Sequence, residues 1–171
     1  HTETYQQYCR WVVTWLEQHQ DARISVKLHP RGQGYPWLDY AAGSERITLL
    51  SADETLEQCA GHFDLVLCGY TNAVLDVARA GVPFVLLGQG EDYFSVARFG
   101  LPRVVAEAQL APCIETALSE PGKIKERLLE FLNYHICHAD KPLSTLIGSV
   151  RMVPNAAEPV GIQLSAPPQK Y

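Results

Sequence analysis

Residues 63–87 read FDLVLCGYTNAVLDVARAGVPFVLL, and this stretch decides the fold class. It begins with an almost unbroken apolar run, which is typical of a strand that is covered on both faces. The middle shows the three-and-four apolar spacing of a helix, and Gly81 follows where a helix commonly ends. Pro83 then leads into a second buried run. The stretch therefore predicts a strand, a helix and a second, parallel strand.

Similar units lie on either side of this stretch. Upstream, ISVKL at 24–28 and ITLL at 47–50 predict two short strands, and Ser51 or Asp53 is expected to cap a helix that ends near Ala60. Alternating strands and helices pair in parallel through right-handed crossovers. We therefore expect an α/β fold, a Rossmann-like open parallel sheet with helices on both faces. The other predicted elements are a helix at 5–19, a short strand at 103–105 and helices at about 107–118 and 122–137.

The bulk properties indicate one domain and exclude several partners. The chain has 171 residues, and we expect a domain at 1–150 followed by a Pro-rich tail or arm at 151–171. A net charge of -5 without a basic patch argues against nucleic acid, because that binding depends on phosphate neutralisation. No apolar run of about 18 residues occurs, so no transmembrane segment is predicted. Peripheral membrane association of a longer protein is left open.

The cysteines indicate a reducing compartment. Five cysteines at irregular spacing fit free thiols better than a disulfide framework, so we expect a cytoplasmic protein.

On a helix only His135 and His138 of the His135, Cys137, His138 cluster would share a face, so no metal site is predicted. The start of the chain resembles a cut within a longer protein, or a processed end, more than a signal peptide.

Polar residues follow each predicted strand, and ligands of open parallel sheets bind at the carboxyl ends of the strands. After the third strand, Gly69 is expected to allow a tight turn, and the first amides of the next helix would join Thr71 and Asn72 in holding a phosphate or diphosphate. Asp76, one turn later, could accept two hydrogen bonds from vicinal hydroxyls, as in ribose. Alternatively, Thr71 or Asn72 only caps the helix and Asp76 only suits its dipole.

Two basic residues follow the first strand. His29 can donate to a phosphate oxygen, and Arg31 can add a bidentate contact. The alternative is a histidine that satisfies a loop carbonyl. No GxSxG, GxGxxG or GxxxxGK[ST] string is present, which argues against a hydrolase elbow, a dinucleotide fingerprint and a P-loop.

The loop after the fourth strand is acidic. Gln89, Glu91 and Asp92 could contact sugar hydroxyls or, with less support, a divalent ion. For Glu91 and Asp92 a plain surface turn is the favoured alternative.

The order of KLHPR (27–31), SADETLEQC (51–59) and the 64–88 stretch resembles the carboxyl-terminal, donor-nucleotide half of GT-B type glycosyltransferases of bacterial surface and capsule polysaccharide synthesis. Close parallels are HP-motif sialyltransferases, CDP-glycerol glycerophosphotransferases and non-hydrolysing UDP-GlcNAc 2-epimerases. The resemblance covers about Val26 to Leu118. It implies one half of a GT-B fold, a CMP-, UDP- or CDP-linked sugar as ligand, an amino-terminal domain of the same protein as partner, and no cofactor.

The resemblance also implies residue roles. His29, in the HP motif, would contact the donor phosphate and act in catalysis by stabilising charge on the leaving nucleotide. Thr71, beside Asn72, would contact phosphate, and Asp76 would hold the ribose. Such families more often show Ser-Ser or Ser-Asn followed by Glu. Asp53 and Glu54 lie in a stretch that resembles the family's segment bordering the base pocket, so they would lie near the base.

Two other functions remain open on the sequence. One is the half-domain of a sugar-nucleotide epimerase, and the other is a non-catalytic nucleotide-binding or scaffold module. The chain contains one half's worth of β/α units, so we expect the isolated chain to bind a nucleotide without turning it over.

Overall fold

The computed structural model describes residues 2–29, 34–69, 71–88 and 92–136, and within these ranges it contains five strands and six α-helices. The predicted tail at 151–171 lies outside them. The strands are β1 (Ile24–Val26), β2 (Ile47–Leu49), β3 (Val66–Cys68), β4 (Phe84–Leu87) and β5 (Arg103–Val104). The helices are α1 (Thr2–Gln18), α2 (Trp37–Ala42), α3 (Leu56–Cys59), α4 (Ala73–Arg79), α5 (Leu110–Ser119) and α6 (Pro121–His135).

The described strands form two small parallel sheets. In the first, β1 pairs with β2, and Ile24 lies opposite Ile47. The second has the order β3-β4-β5, with Val66 opposite Phe84 and Leu86 opposite Arg103. The predicted α/β class is confirmed. A single open Rossmann-like sheet stays a prediction, because the described backbone pairings join the strands into two sheets.

The three-stranded sheet is covered by helices on both faces, and β4 shows why. Its side chains alternate between faces, as they do in any strand. Phe84 and Leu86 pack in one core cluster with residues of α4 and α6, whereas Val85 and Leu87 pack in another with residues of α1 and α5. All four are buried, which agrees with the continuous apolar run in the sequence.

The second of these clusters also joins the two sheets. Val26 of β1 and Ile47 of β2 belong to the same cluster as Val85 and Leu87 of β4. Beneath α1 the two sheets therefore share one apolar layer, although no described backbone hydrogen bond pairs their strands.

Helix α1 lies on that shared layer through Trp11, Val12 and Leu16, which are buried. The helix predicted at 5–19 is confirmed, and it begins three residues earlier, at Thr2. Nη1 of Arg46 donates to the carbonyl oxygens of Leu16 at 2.8 Å and His19 at 2.9 Å. A cation at this end of a helix satisfies terminal carbonyls and suits the dipole, so Arg46 ties the end of α1 to the start of β2.

Two local predictions differ from the structure. The prediction that Ser51 or Asp53 caps α3 is wrong: Thr55 is the N-cap, and its hydroxyl accepts from the backbone N–H of Gln58 while Gln58 accepts from the N–H of Thr55. This reciprocal capping box stabilises a start two residues later. The second difference is α2, a helix that was not among the predicted elements.

None of the helices in the described ranges combines the length and the apolar character that a membrane crossing requires.

Candidate functional site at the strand ends

The carboxyl ends of β1 and β2 are joined by one lysine. Nζ of Lys27, the first residue after β1, donates to the carbonyl oxygens of Ser51 at 2.5 Å and Ala52 at 3.1 Å. Because β1 and β2 are parallel, their carboxyl ends lie at the same edge. The contact therefore brings together the two segments that carry His29 and the Asp53-Glu54 pair. Lys27 was quoted within the KLHPR string but was not predicted as a site residue.

Helix α3 continues this edge towards α4. Leu56 packs against the core cluster that contains Val74 and Val77 of α4, and α3 packs against α4. Burial raises the pKa of the Cys59 thiol on α3, the carboxylate of Glu54 raises it further, and Lys27 lowers it. Glu54 and Lys27 thus both act on one buried thiol. The segments after β1 and β2 and the helix after β3 are connected through α3.

The start of α4 carries three of the predicted ligand residues. The Thr71 hydroxyl accepts from the backbone N–H of Ala73 at 3.3 Å, a local bond that agrees with the alternative structural role. Asn72 is the N-cap residue, but its side chain makes no capping hydrogen bond. Asp76 is exposed in the first turn. The side chain of Asn72 therefore does not cap α4, and Asp76 lies where a carboxylate suits the helix dipole.

The φ angle of Gly69 does not by itself require glycine. It lies outside the left-handed region, which among the described residues is adopted by Gly34, Gly81, Gly100 and Ser95. A Cβ added at Gly69 would have no described atom within 4 Å beyond the adjacent residues. The position is open on the side where a side chain would stand.

His29 follows β1 at the edge that Lys27 defines, and it is exposed. Arg31 lies outside the described residues, so its predicted bidentate contact stays a prediction.

The acidic loop after β4 is described only from Asp92 onward, and Gln89 and Glu91 lie outside the described residues. The Asp92 carboxylate accepts from the backbone N–H of Val96 at 2.8 Å through Oδ1 and of Ala97 at 2.9 Å through Oδ2. It thereby satisfies the first two N–H groups of the 3₁₀ turn Val96–Phe99, whose N-cap residue is Ser95. This favours the alternative of a structural turn at Asp92, and the sugar contact stays a prediction.

Sequence reasoning also missed a cation near the end of β4. Nη2 of Arg103, on β5, donates to the carbonyl oxygen of Gly88 at 3.2 Å. Gly88 directly follows β4, so the guanidinium reaches the carboxyl end of that strand. A single arginine in a two-residue strand gives no pattern that would have indicated this.

His135 is the described member of the His135, Cys137, His138 cluster, for which no metal site was predicted. Its Nε2 lies 2.8 Å from the carbonyl oxygen of Phe94, and its ring packs 4.6 Å from the ring centroid of Phe131. Within the described residues no group of three or more His, Cys, Asp or Glu side chains could hold a metal ion. Cys137 and His138 lie outside the described residues.

A cavity of about 210 Å³ lies elsewhere, between α1, α2 and the start of β2. Its lining includes Val13, Leu16, Tyr40 and Arg46. Arg46 is committed to the end of α1. The cavity is at the amino end of β2, away from the edge where the predicted ligand residues follow the strands.

Comparisons with known proteins give no family for the chain. No protein-family model matches it, and no curated protein is significantly similar to it in sequence.

Proposed function

We propose that this chain is the donor nucleotide-sugar-binding half of a GT-B type glycosyltransferase of bacterial surface or capsule polysaccharide synthesis. In this proposal the two described sheets belong to one Rossmann-like open sheet, and an amino-terminal domain of the same protein supplies the acceptor side. The proposal includes a cytoplasmic location, which would suit the free thiols of the described cysteines, Cys9, Cys59, Cys68 and Cys113.

The observation that carries the proposal is the connected edge described above. Lys27 joins the end of β1 to the segment after β2, and α3 joins that segment to α4. In the proposed single sheet, polar groups that are far apart in the chain would follow parallel strands at one side of the fold, where open α/β sheets bind their ligands. The parallel pairing within each sheet is compatible with this position, and the open space at Gly69 leaves room for a ligand there.

The chemistry would be stabilisation of a leaving nucleotide. His29 and the first amides of α4 would hold the donor phosphates, and Asp76 would hold the ribose. Transfer would follow direct displacement or an oxocarbenium-like path, in which these groups offset the charge that builds on the leaving phosphate. The general base would come from the amino-terminal domain, so the isolated chain would bind and not turn over.

Calorimetric titration with CMP, CDP, UDP and GDP tests the proposal. We expect one of them to bind, and His29→Ala and Thr71→Ala each to weaken its binding by about 1 to 3 kcal/mol, the size of a charge-assisted hydrogen bond. If both variants bind like the parent, the proposed site is wrong.

Gly69→Ala gives a second test with a matched control. The added methyl would meet no described atom of the protein within 4 Å, so the fold should tolerate it. A ligand that lies against Gly69 would meet the methyl, and binding should weaken. Gly122→Ala, at the start of α6, adds a methyl in equally open space away from this edge. The control should bind the nucleotide like the parent.

One alternative has specific support. The local bonds of Thr71 and Asp92 are those of structural residues, which favours a non-catalytic module. The same engagement of Asp92 reduces the support for an epimerase, which would use carboxylates of this loop. A parent chain that binds none of the four nucleotides would favour the scaffold function.

A further inference from the structure

We infer that Lys27 is a positioning residue for nucleotide binding, because its ammonium group holds the connection between β2 and α3 in place beside the end of β1. The inference rests on the proposed function and deepens it, since it assigns a role to a residue that was not predicted as a site residue.

The contact fixes the main chain and not a mobile side chain. Lys27 donates to two successive carbonyls, those of Ser51 and Ala52, and so uses two of the three N–H bonds of its ammonium group. The carbonyl of Ser51 also accepts from the N–H of Glu54 at 3.3 Å, and the Ser51 hydroxyl accepts from the N–H of Asp53 at 3.3 Å. The turn at 51–54 is therefore tied both to itself and to β1.

Charge adds a second effect. The connection carries two carboxylates, Asp53 and Glu54, which would repel an anionic ligand. The Lys27 ammonium is bonded to the main chain of this connection, and its charge lowers the pKa of the Cys59 thiol that the Glu54 carboxylate raises. A cation on this connection would partly offset the repulsion between the two carboxylates and an anionic ligand.

The fold should survive loss of this lysine. Its hydrogen bonds are solvent-exposed, and exposed polar contacts of this kind add little to global stability. A loss of binding in a variant that melts like the parent would therefore report the positioning role.

The test compares Lys27→Met and Lys27→Arg with Lys125→Met, which removes an exposed lysine of α6. CMP, CDP, UDP and GDP are titrated calorimetrically, and amide hydrogen exchange of residues 51–54 is measured in the free proteins. We expect K27M to bind the preferred nucleotide about tenfold more weakly and to exchange faster at 51–54. K27R, which keeps the charge and two donors, should recover most of the affinity, and K125M should match the parent.

The outcomes separate the two proposals. If the parent binds a nucleotide and His29→Ala weakens it, while K27M binds like K125M, only the role of Lys27 is overturned. Unchanged exchange at 51–54 in K27M, or a K27R variant as weak as K27M, overturns it as well. If the parent binds none of the four nucleotides, the proposed function fails and the role of Lys27 fails with it.

Discussion

The two sheets of this chain are buried to different depths. All four side chains of β4, in the three-stranded sheet, are buried, whereas β1 and β2 bury one side chain each. The apolar contacts that stabilise the fold are therefore concentrated around β4. The two-stranded sheet is held more by polar bonds, those of Lys27 at its carboxyl end and those of Arg46 at its amino end. Stability and binding should accordingly respond to different substitutions.

The largest expected effect is on the core around β4. Phe84 is fully buried and its ring lies 5.8 Å from that of Phe131, so Phe84→Ala should lower the free energy of unfolding by about 3 to 5 kcal/mol. Ile24→Ala in the half-buried β1 should cost about 1 kcal/mol. Urea denaturation measures both, and the milder Val85→Ala replaces Phe84→Ala if that variant does not fold. Equal costs at β1 and β4 would contradict the comparison.

An intermediate effect is expected from a thiol of the three-stranded sheet at alkaline pH. Burial raises the pKa of Cys68 from its ordinary value of 9.0 to about 12. The unfolded thiol ionises near pH 9 while the folded thiol stays protonated, so its contribution to stability is complete below pH 9 and is lost as the pH rises towards 12. Stability measured from pH 8 to 11 should therefore fall less steeply in Cys68→Ala than in the parent. Parallel curves would show that Cys68 does not contribute.

A smaller effect distinguishes the loop after β4 from the connection after β2. Asp92→Ala removes the carboxylate that satisfies the 3₁₀ turn after β4, and Thr55→Ala removes the cap of α3 after β2. Each should cost about 1 kcal/mol of stability by thermal or urea unfolding. Nucleotide binding should weaken only in Thr55→Ala, because Thr55 adjoins the connection that Lys27 holds. Weaker binding in Asp92→Ala instead would place the ligand at the β4 edge.

The smallest effect is a gain. Gly122→Ala, far from both strand edges in sequence, should raise stability by about 0.5 kcal/mol because alanine has less conformational freedom to lose on folding. A destabilised variant in urea would show that the start of α6 needs glycine.

The sequence predicted the elements best where apolar side chains alone determine them. The run at β4 was placed at its observed bounds, and the helix before it was placed within two residues, because burial on both faces leaves a continuous signal. Helix α2 was missed because a six-residue helix with one buried side chain, Trp37, is too short to show a period. The cap at Thr55 was available in the T-x-x-Q spacing of Thr55 and Gln58 and was overlooked.

The candidate site was less accessible to sequence reasoning. The positions after the strands could be named, since they follow from the order of the elements. The bonds that organise them could not, because Lys27 and Ser51 are 24 residues apart and Arg103 and Gly88 are 15 apart. Such contacts depend on which strands become adjacent in the folded protein, and no local sequence pattern encodes that adjacency.

The continuous burial of β4 has a consequence for how its register is specified. In a strand with one solvent-exposed face, a register shift by one residue moves the apolar side chains into water, and the loss of burial opposes the shift. Both faces of β4 are dry, so a slip would merely exchange Phe84 and Leu86 with Val85 and Leu87 between two apolar clusters. What opposes the slip is volume: a phenyl ring would enter a space shaped for valine. Size complementarity, and not hydrophobicity, selects the alignment of this strand.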